Sequence, residues 1–503
     1  MFVAKFILEN KYFLQLKNLF LASIFICLFA GIFSSCKDDN FTSNSSYRIS
    51  FSTDTLSFDT VFTTLVTPMR RIMVYNRTSE NIRIENIKLY SKFNCFQVNV
   101  SGQSGTEFHN IELRSKDSLY IFVQVNVREL GQNAPLHILD SLEFKYNNNV
   151  EKVMLQTYGQ DVHHFKNRTI TEDTRWTNDK PYLIRDTLKV ENGAKLTIDA
   201  GVRLFFHNNA TMVVKGTLSV EGDEHNPVIF RGNRTDNLFN GLPYDKISGQ
   251  WGGILFTKES TGNQINGAMI RNGIFGIQVD SAEIQSGVYR LILSNSQIHN
   301  TKQAALKATS ANIYAYNTVI SNSAYTCVLL EGGDYLFNHC TIANYPTIAR
   351  VFSALILANH IQFNENQKIK LNATFNNCII YGTFQQEIRM ENHNGTGDVS
   401  KDDFNYKFNS CLIRYQPNQY AGNSGFNIQS DAFQNVIWNE SPDFLSVDNN
   451  EYDFRIGSSS AAIENGDIEI IIQYPECRTD KNGVVRPLDK NPDMGAYEYV
   501  EEP

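Results

Sequence analysis

The chain is short of basic residues. Its 45 Lys and Arg stand against 53 Asp and Glu, a net charge of −8. A surface of that sign repels polyphosphate, which excludes nucleic acid as a partner class and argues against anionic lipid. No Cys-x-x-Cys occurs among the eight cysteines, so the common zinc-ligand spacing is missing. Beyond residue 35 no stretch is long and apolar enough to cross a bilayer as a helix.

The first residues are of a different kind. Lys5, Lys11 and Lys17 precede an apolar run from Leu19 to Phe33, which ends in Ser34-Ser35-Cys36. A basic start, an apolar stretch and small residues at its end make residues 1–35 a signal peptide. Cys36 resembles the lipid-modified first residue of a bacterial lipoprotein; plain secretion and an uncleaved anchor are the alternatives. Lys37, Asp38 and Asp39 resemble the acidic export signal of some Gram-negative lipoproteins, with a merely polar tether as the alternative. The resemblance implies an outer-membrane protein anchored by lipid and facing the cell exterior. Residues 36–46, rich in Ser and Asn, are expected to be a flexible tether.

A repeat dominates the rest. Ser296-Gln297-Ile298-His299-Asn300, Thr318-Val319-Ile320-Ser321-Asn322 and Cys340-Thr341-Ile342-Ala343-Asn344 recur with a period of 22. The pattern reaches back to Ala268-Met269-Ile270-Arg271-Asn272 and on to Cys378-Ile379-Ile380 and Cys411-Leu412-Ile413. Alternation within each unit is two-fold, so the units are strands, and a period of this size means a solenoid. Stacked units bring Ile270, Ile298, Ile320, Ile342, Ile380 and Ile413 into one column at the ~4.8 Å interstrand spacing. Asn272, Asn300, Asn322 and Asn344 are expected to form a ladder of side-chain amides. Residues 180–455 make this body, with 161–179 as linker and cap.

These units resemble those of right-handed parallel β-helix proteins, the pectate-lyase-like superfamily. Gly249-Gln250-Trp251-Gly252-Gly253-Ile254 resembles a coil of bacterial surface β-helices. Asp480, Gly483, Arg486-Pro487 and Asp493-Met494-Gly495-Ala496-Tyr497-Glu498 resemble the closing segment of secreted β-helix proteins. The resemblance implies that residues 456–503 cap the solenoid and shield its last strand edge. It implies no single activity, since this fold hosts lyases, hydrolases, adhesins and structural proteins.

Residues 47–160 lack the 22-residue phase. Short alternating runs such as Ile72/Val74 and Ile121/Val123/Val125, parted by turn residues, predict a β-sandwich. Its order resembles an immunoglobulin-like module of surface proteins, with spacing as the implied role. The fold class is therefore all-β, a sandwich followed by a β-helix.

Candidate chemistry is sparse. Cys340, Cys378 and Cys411 share the small-residue position and read as stacked buried thiols, with metal or a disulfide as the alternative. His163-His164 reads as a solvated linker pair, and His299 and His339 as structural members of the repeat. A β-helix lyase would need a base beside acids holding calcium, and a hydrolase two carboxylates ~5–9.5 Å apart. The outward spacers Arg271, His299, Ser321, Ala343, Tyr381 and Arg414 include no acid. Acids fall in insertions instead. Glu387, Glu391, Asp398, Asp402 and Asp403 form either a calcium loop or a solvated one, and Asp236 with Asp245 lies in another. Tyr244 and Tyr381 are expected to face outward, where they would stack on sugar rings.

The sequence thus reads as a surface lipoprotein whose β-helix binds or adheres to glycan without catalysis, with calcium its one candidate cofactor. A polysaccharide lyase or glycosidase built from the loops between Thr347 and Lys407 is the alternative, and a structural surface protein is another.

Overall fold

In a computed structural model, the described residues are 40–239, 241–282, 287–346, 349–361, 364–392, 403–416, 426–447 and 451–501. Cys36, Lys37, Asp38, Asp39, Asp398 and Asp402 lie outside them. The chain divides into two compact units. Among the described residues, one is built on 40–58, 65–127 and 137–157; the other runs from 158 and also takes in 59–64 and 128–136.

Two sheets make the first unit. One runs in the order Phe41–Thr42, Asn81–Tyr90, Leu136–Tyr146, Asn149–Gln160, Thr55–Phe62, with Glu107–Leu113 paired to Asn81–Tyr90. The other runs Ser50–Phe51, Arg70–Tyr75, Ser118–Val125, Phe96–Val100, Gln103–Gly105. Alternation sends Ile72, Val74, Ile121 and Val123 of one sheet, and Ile82, Ile84, Leu142 and Phe144 of the other, into a common core. Phe51 and Phe144 meet across it with ring centroids 4.8 Å apart. Phe41–Thr42 belongs to the segment expected to be tether. It is instead a strand, parallel to Asn81 and Ile82, with the Arg83 guanidinium 4.3 Å from the Phe41 ring.

The second unit is a parallel β-helix. Its coils present three strand stacks, here called faces A, B and C. Face A holds Ala268–Arg271, Gln297–Thr301, Val319–Ser323, Thr341–Asn344 and Ile379–Gly382. Face B holds Ile277–Val279, Leu355–Ala358 and Ile388–Glu391, and face C holds Leu291–Ser294, Leu371–Asn376 and Phe404–Asn409. The long strands Leu306–Tyr316 and Val328–Asn338 bend from B into C. Ile270, Ile298, Ile320, Ile342, Ile380 and Ile413 face one another in direct succession on face A. Residues 161–179, expected to be linker and cap, form the first coil: His163–Ile170 pairs with Tyr182–Val190, and Thr174–Trp176 with Lys195–Asp199.

The recurring asparagines have a backbone cause. Asn295, Asn317, His339, Asn377 and Ser410 turn the chain from face C to face A with φ between 48° and 53°. Asn272, Asn300 and Asn322 turn it out of face A with φ of 65°, 57° and 53°. Asn enters this left-handed region more readily than most residues. The amide ladder expected through Asn272, Asn300, Asn322 and Asn344 gives way to backbone contacts. Asn272 donates to the carbonyls of Asp245 and Ile247, Asn322 accepts from Tyr345 N, and Asn344 pairs with both backbone groups of Ser323. Amide-to-amide bonds lie at the other corner, Asn317 to Asn295 at 3.1 Å and Asn376 to Asn338 at 2.9 Å.

Inside, like sits on like. The rings of Phe337, Phe375 and Phe408 stack at 4.9 Å per step, and Phe433 follows at 5.2 Å. Cys340, Cys378 and Cys411 are buried free thiols, each aimed at the carbonyl two residues back. Phe375→Ala would open a void between two fixed rings, which cannot close without breaking register. We expect it to cost about 3–5 kcal/mol, read from the urea midpoint of solenoid unfolding; an unshifted midpoint would refute the continuous stack.

Candidate functional site

The C-terminal segment decides which part of face A is open. It was expected to cap the last coil, but it returns along the flank of face A. Phe454, Ala496 and Tyr497 pack on Val319 and Ala343, and Ile456, Ala462 and Met494 pack on Ile379, Tyr381 and Leu412. Ala496 N donates to Thr341 Oγ1 at 3.0 Å, and Asp467 N to Asn377 Oδ1 at 2.7 Å. Gly495 has φ of 93°, and a Cβ there would lie 2.7 Å from Ile379 Cδ1, so only glycine lets the segment lie this close. The physical reason is hydrophobic: the spacer row of face A is itself apolar here and needs a cover.

A buried cluster locks this segment. Arg486 donates from Nη1 to Asn317 Oδ1, Cys477 O and Thr479 O at 2.7–2.9 Å, and its Nε lies 3.0 Å from Glu498 Oε1. Asp480 accepts from the backbone N–H of Asn482, Val484 and Glu498, and Asp493 from those of Glu464 and Tyr499. The motif residues thus hold one another and grip the corner of the solenoid.

Ser321, Ala343 and Tyr381, read as outward spacers, are therefore buried. Tyr381 donates to Asn439 O and offers no face to a sugar. Arg414 donates to Gly382 O. The covering stops short of the earlier coils. There Arg271 and His299 stand in register, with Arg231 on the preceding strand, Val228–Gly232.

An insertion brings Asp245 to this stretch. Its carboxylate lies between two guanidiniums, 3.1 Å from Arg231 Nη1 and 3.1 Å from Arg271 Nη1. Trp251 supports Arg271 from within, donating from Nε1 to its carbonyl at 2.8 Å and stacking on Phe206 at 4.2 Å. Tyr244 is half-buried, with the Arg234 guanidinium 3.9 Å from its ring, and Arg234 also holds Asp236. Lys481 arrives from the returning segment. Burial, then Arg271 and Lys481, depress the His299 imidazole to about 3, so it is neutral at physiological pH. Burial lowers Arg231 to about 10 and lowers Arg271 and Lys481 as well; Asp245 and Asp480 pull the other way. Three cations face two carboxylates, Asp245 and Asp480. Arg271 Nε is buried without a hydrogen-bond partner, as are the acceptors Asp245 Oδ1, Gln250 Oε1 and Asn272 Oδ1; it is the surplus of positive charge that favours an anion.

The acids singled out from the sequence do not converge. Glu387 is buried against Arg350, accepting from its Nη1 at 2.8 Å and from the N–H of Ala354 and Phe384. It anchors an insertion to the coil, a structural use. Glu391 lies 2.6 Å from Arg389 Nε. Among the described residues no group of three or more His, Cys, Asp and Glu is placed to hold a metal. His163 stacks on Tyr182 and sits 2.9 Å from Asp179, so it is an element of the first coil instead of a solvated linker. His339 is buried at the corner, 2.9 Å from Asn377 Nδ2.

A family model described as a pectate-lyase like beta helix domain matches residues 168–273. No curated protein matches the chain. Among solved structures it is similar to a family 123 glycoside hydrolase from Clostridium perfringens, studied for glycolipid glycan hydrolysis. The identity is 8%, over 25% of this chain and 30% of that one, with a TM-score of 0.18. It is also similar to a protein of unknown function from Porphyromonas gingivalis W83, 11% identical over 24% of this chain and 59% of that one, with a TM-score of 0.15. The chain spans less than two thirds of either structure.

The lock has a pH signature. Burial raises the Glu498 carboxyl to about 7 against the pull of Arg486, and burial raises Asp493 too. An unfolded Glu titrates near ~4.3, so folding favours the protonated form; the stability this contributes is complete below that value and lost as pH rises through about 7. Protease cutting within 440–501 should accelerate between pH 5 and pH 8, and Glu498→Gln should flatten the profile. A flat profile in the unaltered chain would contradict the assignment.

Proposed function

We propose that this protein is a lipid-anchored lipoprotein of the outer membrane that faces the cell exterior. Its solenoid binds an acidic glycan at Arg231, Arg271 and Lys481 without transforming it. The carrying observation is the local excess of half-buried cations in a chain of net charge −8. A uronate carboxylate would pair with the exposed part of the Arg271 guanidinium and with the charge that Asp245 does not cancel. The first unit, read as an immunoglobulin-like spacer, lifts the solenoid from the lipid.

Two groups of facts support a binding role. Glu387, Glu391, Asp236 and Asp245 are each engaged by an arginine, so none is left as an acid–base partner for another. The spacers of later coils lie under the C-terminal segment. One observation favours the lyase reading instead. A neutral imidazole, His299, stands beside cations that could neutralise a carboxylate, but at about 3 it is a weak base for proton abstraction, which keeps lyase chemistry the second reading.

Titration of the full chain with polygalacturonate and alginate separates the readings. Binding is expected to weaken about tenfold or more, ~1.4 kcal/mol, in Arg271→Ala and again in Lys481→Ala, with a shallower salt dependence. Unchanged affinity in both variants would remove the site. Growth of ultraviolet absorbance from unsaturated uronate, lost in His299→Ala, would replace binding with lyase chemistry. For the anchor, Cys36→Ala is expected to move the protein from the membrane fraction to the soluble one; retention would refute lipidation.

A further inference from the structure

The sandwich carries a second surface that the reading above does not use. Its five-stranded sheet is centred on Ser118–Val125, with Arg70–Tyr75 on one side and Phe96–Val100 on the other. On that centre strand Ile121, Val123 and Val125 point into the core. The alternate residues point away, and they are not the polar set a solvated sheet face normally shows. Tyr120 is 43% exposed and Phe122 39%. Their ring planes are nearly parallel, 13° apart, with centroids 6.4 Å from each other. Arg71 sits beside them, 5.7 Å from the Tyr120 centroid.

The register sets uncharged hydrogen-bonding groups along this aromatic shelf. Asn99 faces Phe122 across the ladder, and Gln97 faces Gln124. A shallow groove of about 400 Å³ runs beside Phe122, lined by Met69, Gln97, Asn99, Ser104 and Gln124. Asn99 Nδ2 donates to Ser104 Oγ at 3.1 Å, and Gln124 Nε2 to Thr67 O at 2.7 Å, which orients both amides. The Gln97 amide has no hydrogen-bond partner among the described residues. Met69, 66% exposed, closes one end.

From this arrangement we propose that the sandwich is itself a binding module and that the shelf takes a neutral glycan. The groove lining contains no ionisable side chain, and the one cation on the shelf, Arg71, which faces Phe122 in the ladder, lies over the Tyr120 ring outside that groove. The exposed Phe122 ring at the groove and the Tyr120 ring parallel to it offer apolar surface to the C–H side of pyranose rings, and flanking amides both donate to and accept from hydroxyls. The groove's volume lies in the ~300–1,000 Å³ range of small-ligand clefts, enough for a short stretch of a sugar chain. A second copy of the chain is the competing occupant, but a stable interface needs about 800 Å² per partner with an apolar centre, and amides ring this shelf closely on one side. This site is independent of the cationic one in the solenoid and differs from it in the charge of its ligand.

Affinity electrophoresis of the full chain in gels cast with galactomannan, xyloglucan or mixed-linkage β-glucan tests it. At least one of these uncharged polymers is expected to retard the protein. Tyr120→Ala and Phe122→Ala should each reduce that retardation fivefold or more, whereas Phe122→Tyr, which keeps the ring, should preserve it. Both truncations are at exposed positions, and an unchanged circular dichroism spectrum and thermal midpoint would show the chain intact. Absence of retardation in every neutral polymer, or equal retardation of wild type and both alanine variants, would overturn the proposal. So would a concentration-dependent dimer, seen by sedimentation, that Phe122→Ala abolishes, since that would give the shelf to a second copy.

Discussion

Every feature of the solenoid follows from one constraint: backbone hydrogen bonds run from each coil to the next, in register. A residue's neighbour is therefore its counterpart one coil away. Ile298 meets Ile320 and Ile342, Phe337 meets Phe375 and Phe408, and left-handed corners recur at Asn295, Asn317, His339 and Asn377. The constraint acts on the backbone at the corners and on side-chain shape within the strands. Asparagine is used where φ must be positive, and a flat ring or a branched aliphatic where a column must fill. No coil can satisfy its strand edges alone, so the stack stands or falls together.

The same constraint creates a problem of coverage. Alternation points half the residues of face A outward, and in the later coils those residues are apolar. The returning C-terminal segment answers this with its own apolar side chains and with a glycine that permits close approach. Its lock is expensive in desolvation: Arg486, Asp480, Asp493 and Glu498 are all buried or nearly so. Burying charges is tolerable only where each is paired and hydrogen-bonded, and here backbone N–H groups and the corner amide of Asn317 supply the partners.

Much of this fold was legible in the chain. The uninterrupted 22-residue spacing from Ile298 to Ile342 exposes the stack, and two-fold alternation exposes its strands. What stayed hidden was contact between segments distant in sequence. Arg231 lies directly before Arg271 in space but 40 residues away in the chain, across an inserted loop, so no periodicity relates them. Lys481 is farther still. Asp480, Arg486, Asp493 and Glu498 were visible as a motif, but a motif does not disclose where its segment lands. Periodicity says whether Ser321, Ala343 and Tyr381 point outward; it cannot say that something lies on top of them. In the sandwich, Tyr120 and Phe122 alternate with Ile121 and Val123 like any strand, and only the geometry shows both rings uncovered.

Arg486, fully buried, and Arg271, half-buried, differ in how their guanidiniums are answered. Arg486 is surrounded: three oxygens at its Nη1, another at Nη2 and a carboxylate at Nε. Its environment explains its presence as structure. Arg271 has a single carboxylate oxygen at Nη1 and shares that carboxylate with Arg231; its Nε, like that of Arg486, is buried without a directed hydrogen bond. An unsatisfied buried donor costs about 1–3 kcal/mol, more when charged, and a stack that needs only a small outward residue here would be more stable without it. The next coil meets the same position with His299, and the two after it with Ser321 and Ala343, so the architecture does not demand a cation. That difference in how completely the two guanidiniums are answered is what supports assigning Arg271, with Arg231 and Lys481, to a ligand instead of to the fold.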